Sequence, residues 1–118
     1  MKYVFVTFLV LNFLAETLAA VSLIGGPEGI AAAGTGNQWA MHYGFAVIAI
    51  AAASLWIWPY RTQLVPVTAV LGILLTFHAA VFVSLTLAGD QQFGIVLHLV
   101  LTVLAGISLS QRRKWCEP

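Results

Sequence analysis

Charge is what this chain has least of. Of its 118 residues 8% are charged and 61% hydrophobic, with a mean hydropathy of +0.97. Soluble domains carry about 25% charged residues, so a water-facing globular surface is excluded and an integral membrane protein is expected. Cysteine occurs once, at Cys116. That rules out an intrachain disulfide, a cysteine-based zinc site and the cysteine pattern of covalent haem, so only b-type haem is allowed. The one basic cluster is Arg112, Arg113 and Lys114, and nothing else suggests nucleic acid. No nucleophile has an obvious base beside it, no glycine-rich phosphate loop follows a strand, and no metalloprotease spacing occurs. These gaps weigh against an enzyme, and Ser54, Ser84 and Ser108 read as helix contacts. The two halves do not match in spacing, so an inverted-repeat transporter is not supported.

What is present is four apolar runs, at about residues 3–24, 39–58, 64–88 and 92–109. Each is long enough to cross a hydrocarbon core of about 30 Å. Gly25-Gly26-Pro27 ends the first, Pro59 the second, and Gly89-Asp90 the third. Pro66 falls in the first turn of the third run, where its missing N–H leaves no bond unmade. The Glu28–Gly34 stretch has the makings of a short interfacial turn. Lys2 and the apolar stretch ending near Ala20 have the outline of a signal peptide, but the run exceeds a signal core and a retained first helix is expected. The fold class is therefore all-α: a single membrane domain over residues 1–118, with four transmembrane helices running up-down-up-down.

All five basic residues (Lys2, Arg61, Arg112, Arg113 and Lys114) fall at the two ends and in the second loop, while Glu28 and Asp90 occupy the other two loops. The positive-inside rule then puts both termini in the cytoplasm of a bacterial-type inner membrane. Trp56, Trp58, Tyr60 and Trp115 mark the cytoplasmic interface, Trp39 and Tyr43 the outer one.

Glu16 is the exception inside the runs, where no lysine or arginine answers it. A carboxylate at that depth costs a few kcal/mol on lenient scales and needs a partner, a proton or a purpose. At about 1.5 Å per residue, Glu16 lies roughly 12 Å inside the outer end of its helix, His98 roughly 10 Å, His78 roughly 15 Å and His42 roughly 5 Å. Asn12 stands one turn below Glu16, in reach of a hydrogen bond. Gly94, His98, Thr102 and Gly106 recur every fourth residue, a small-residue stripe that turns His98 inward. His42, Ala46, Ala49 and Ala53 form a similar stripe. His78 shares its face with Leu71 and Leu74, away from the small residues Gly72, Thr76 and Ala80, so its face is open.

Three readings follow. Glu16, His98 and possible partners His78, His42 and Asn12 form a binding site for haem b, a quinone or a transition metal. Or Glu16 alternates between protonated and substrate-bound states in a transporter. Or the polar contacts only fix helix register. His78 with His98 would be the axial pair for haem or the core of a metal site.

Two resemblances bear on these readings. With four helices and a glutamate in the first, at Ala15-Glu16, the chain resembles the small multidrug resistance transporters, which implies proton-coupled export of cationic drugs through Glu16. It departs from them in lacking their helix-three aromatic signature and in its one-sided basic charge. Over most of its length it also resembles the DoxX-like group of small four-helix membrane proteins. The features are Gly26-Pro27-Glu28, a glycine-bearing segment leading to Trp39 and His42-Tyr43-Gly44, the basic Tyr60-Arg61, and one histidine in each of the last two helices. That resemblance implies an accessory protein or subunit of a quinone-linked redox system. The large apolar face around His78 suits a homo-oligomer or larger membrane complex, and lipid contact equally well.

Overall fold

The computed structural model describes residues 2–118. Four α-helices carry nearly all of it: α1 (Lys2–Gly25), α2 (Trp39–Ile57), α3 (Leu64–Ala88) and α4 (Gln92–Gln111). All four are long and apolar enough to cross a membrane. The starts of α2, α3 and α4 fall at the residues expected from sequence. α4 runs two residues further than expected and continues as a 3₁₀ turn over Arg112–Lys114. The glycine- and alanine-rich connection after α1 holds a 3₁₀ turn at Ile30–Ala32, within the stretch read as an interfacial turn.

The helices end for local reasons. α3 stops at Gly89, whose φ of 75° is left-handed and whose N–H bonds back to the Leu85 carbonyl at 2.8 Å. Glycine adopts that conformation without a Cβ penalty. Past α2, Pro59 sits in a 3₁₀ turn over Trp58–Tyr60. Arg61 closes that turn: its guanidinium lies 4.8 Å over the Trp58 ring and donates to the Trp58 carbonyl at 2.7 Å.

The chain divides into two compact units: Val10–Trp56, and the residues up to Leu9 together with Ile57–Pro118. In the first, the contacts of α2 with the second part of α1 are antiparallel. Gly44 meets Ala20, Leu23 and Ile24, while Ile50 and Ser54, further along α2, meet Asn12, further back along α1. In the second, α3 and α4 form a tight antiparallel pair, with Leu85 against Gly94, His78 against His98 and Thr68 against Arg112. The first turns of α1 join this unit through Phe5, stacked on Trp115 at 4.7 Å, and Phe8, edge-on to His78 at 6.0 Å. Among the described residues there is no strand. An isolated bridge pairs Gln63 with Glu117, and the Glu117 carbonyl takes the N–H of Leu64 at 2.9 Å. The C-terminal tail thereby satisfies one of the donors that the first turn of a helix leaves open.

Burial departs from that of a water-soluble protein in two ways. Asn12, Glu16, Ser54, His78, His98 and Ser108 are buried, while Leu14, Leu18, Val21, Leu55, Ile73, Val83, Val96 and Val103 are exposed. Polar groups inside and aliphatic groups outside suit a helix surrounded by hydrocarbon.

Candidate functional site

The α3–α4 hairpin builds its site from two imidazoles. His78 continues the buried row Val67, Leu71, Leu74, and His98 opens the buried row Leu101, Ala105, Ser108. Steps of three and four residues hold each row on one helix face. The short connection Gly89–Gln91 fixes the register, so the two rows meet and His78 Nδ1 lies 3.0 Å from His98 Nδ1. The ring centroids are 5.3 Å apart with planes 38° from parallel. His78 is fully buried and His98 is 8% exposed. Two phenylalanine rings lie against the pair. Phe77 lies edge-on to both, at 5.2 Å from His78 and 6.2 Å from His98, and Phe8 covers His78 from α1. Thr102 spends its hydroxyl on the His98 backbone carbonyl at 2.7 Å.

The unit of α2 with Val10–Gly25 of α1 holds the second polar group. Asn12 Nδ2 donates to the Ile50 carbonyl at 3.0 Å and to Ser54 Oγ at 2.9 Å. Glu16, 2% exposed, continues the Asn12 row towards Ala20 as the sequence spacing requires.

Two sequence expectations are corrected here. His42 is exposed, as are Ala46 and Ala49, so that stripe does not face inward. The buried face of α2 is Ala40, Gly44, Val47, Ala51, Ser54 and Ile57. α2 carries small residues at helical spacing on both faces, and spacing alone does not choose between them. What chooses is Gly44, where an added Cβ would stand 2.7 Å from Ile24 Cγ1 and 3.1 Å from Leu23 Cβ. The small-residue stripe of α4 likewise gives the right direction for His98 but not the contact expected at Gly106, where a Cβ would meet nothing within 4 Å. For His78 the apolar side of α3 is the buried one, and Thr76 and Ala80 are exposed. Ser54 was not singled out as a site residue. The signal for Ser54 was its place two helical turns from Val47 on the row through Gly44.

The pair can do two things chemically. With one shared proton it is a buried hydrogen bond. With both Nδ1 atoms presenting lone pairs it is half of a metal site, since two nitrogens on a tetrahedral zinc-like ion, each about 2.0–2.1 Å away, stand roughly 3.3 Å apart. The axial pair expected for haem does not fit this arrangement. The rings touch directly through Nδ1, with centroids 5.3 Å apart, and leave no room between them for a macrocycle.

The chain matches no protein-family model, and neither a curated protein nor a solved structure is significantly similar to it.

Proposed function

We propose that this is a small, non-catalytic binding protein of a bacterial-type inner membrane, with both termini cytoplasmic, and that His78 and His98 are its ligand-holding residues. The observation that carries the reading is the 3.0 Å approach of two Nδ1 atoms, with the rings of Phe8 and Phe77 edge-on beside them. Two buried imidazoles on facing helices are an expensive way to hold a hairpin that Leu71, Leu74 and Leu101 already pack. A first-row transition-metal ion is the ligand that the nitrogen spacing suits best, because imidazole is a general ligand for zinc, copper, iron and nickel. By its resemblance to the DoxX-like group, the protein serves as an accessory to a quinone-linked membrane enzyme.

The test uses tag-free protein in detergent, titrated with Co²⁺ and followed by the visible absorption of the bound ion. Wild-type protein is expected to give saturable bands, and His78→Ala or His98→Ala to weaken binding by at least tenfold, in line with the loss of a ligand. No bands from wild type, or equal bands from His78→Ala/His98→Ala, would sink the metal reading and leave a hydrogen bond that fixes register. The sequence expectation that groups Glu16 with the histidines is tested in the same titration with Glu16→Gln, where an unchanged affinity separates the carboxylate from the ligand set.

A further inference from the structure

At the opposite end of the α3–α4 hairpin from Gly89, a groove of about 430 Å³ opens between the start of α3 and the end of α4, lined by Leu64, Val65, Thr68, Ala69, Arg112 and Arg113. Its wall is aliphatic and its rim is cationic. Arg112 is half-buried and held in place: Nε donates to Thr68 Oγ1 at 2.7 Å and Nη1 donates to the Leu109 carbonyl. Both acceptors are neutral oxygens, so the bonds fix the guanidinium without neutralising it. Arg113 beside it is exposed. The first turn of α3 adds a donor. The Leu64 N–H goes to the Glu117 carbonyl and the Val67 N–H to Gln63, while Pro66 has none. Among the described residues this leaves the N–H of Val65, a groove residue, as the one that no backbone carbonyl takes.

We infer that this groove binds the headgroup of an anionic phospholipid, with the phosphate against Arg112 and Arg113 and the glycerol end of the acyl chains along Leu64, Val65 and Ala69. Charge complementarity selects the occupant. Two arginines at the mouth of an apolar groove, at the end of two membrane-length helices, meet the place in a bilayer where phosphate gives way to hydrocarbon. Basic pockets between transmembrane helices on the cytoplasmic side take anionic lipid headgroups for this reason, and a guanidinium matches phosphate geometry in a bidentate way. The fixing of Arg112 by Thr68 makes the site preorganised and distinguishes it from a diffuse basic tail. Arg61 and Lys114 at the same end add to the local potential but do not line the groove.

The test is native mass spectrometry of the full-length protein released from mixed micelles with equimolar phosphatidylglycerol and phosphatidylcholine. Wild type is expected to retain phosphatidylglycerol on the order of tenfold over phosphatidylcholine. Arg113→Gln, which removes an exposed charge with no structural bond, should cut that preference several-fold. Ala69→Trp, which fills the groove and leaves every charge in place, should abolish it. Lys114→Gln, the same charge loss outside the groove, should leave most of it. Equal retention of the two lipids by wild type overturns the inference, and so does an equal loss in Lys114→Gln and Arg113→Gln, which would show attraction to net charge alone. Inorganic phosphate at millimolar concentration is expected not to displace the lipid. Full displacement would mean that the groove recognises a free anion.

Discussion

Ser54 and Ser108 are both buried serines, 4% and 1% exposed, on apolar helices. Ser54 accepts a hydrogen bond from Asn12, whereas the Ser108 hydroxyl has no partner. In hydrocarbon an interhelical hydrogen bond contributes about 0.6 kcal/mol on average and up to about 1.7 kcal/mol, and an unsatisfied buried hydroxyl is a penalty of about 1–3 kcal/mol. Ser54→Ala is therefore expected to destabilise by about 1 kcal/mol and Ser108→Ala to be neutral or stabilising. Unfolding in mixed detergent with increasing SDS measures both, and equal effects from the two would show that the Asn12–Ser54 bond carries no stability. The imidazole pair obeys the same accounting of donors. Two like atoms in hydrogen-bond contact cannot both donate, so His78 and His98 must hold opposite tautomers when both are neutral. The symmetric-looking contact is chemically unequal: one ring donates through Nδ1, and the other accepts there and carries its N–H at Nε2.

Among the helices, α2 shows what a pattern of small residues can and cannot say. Gly44 is pressed against Ala20, Leu23 and Ile24, and an added Cβ would stand 3.3 Å from the Ala20 carbonyl as well as 2.7 Å from Ile24 Cγ1. Gly72 and Gly106 have open space at the same test. Gly44→Ala is expected to destabilise by about 1–3 kcal/mol through overpacking, and Gly72→Ala or Gly106→Ala to stabilise by about 0.5–1 kcal/mol by removing a helix-interior glycine. The same SDS titration reads this contrast, and a stabilising Gly44→Ala would mean that α1 and α2 are not closely packed there. Helix extent was legible in the sequence because Pro59, Pro66 and Gly89 act locally, through a missing N–H or a left-handed φ. The inward face of α1 was legible because Asn12 and Glu16 stand out against hydrocarbon. The inward face of α2 was not, since its small residues occur at helical spacing on both sides and only a neighbouring helix breaks the tie. The pairing of His78 with His98 was legible as matching depth, but their direct Nδ1 contact was not, since depth gives the level of a side chain and not the angle at which it leaves the helix.

At the scale of the whole molecule, the basic residues make orientation testable with a cysteine already present. Burial pushes the Cys116 thiol up and the nearby Arg112 partly opposes this, so labelling is expected to be slow near neutral pH and to accelerate as the pH rises past the ordinary thiol range. With both termini in the cytoplasm, a membrane-impermeant maleimide should label Cys116 in inverted vesicles and not in sealed right-side-out ones. An Asp90→Cys/Cys116→Ser protein should show the reverse. Labelling of both from one side would overturn the four-span orientation. The distribution of polar groups inside and aliphatic groups outside reaches further. When such helices come apart within a bilayer, their leucines and valines leave protein only to meet lipid, and almost no apolar surface becomes wet. Unfolding in lipid should therefore carry a heat-capacity change far below the usual 12–15 cal/mol/K per residue, which leaves its stability nearly linear in temperature, with no cold-denaturation limb.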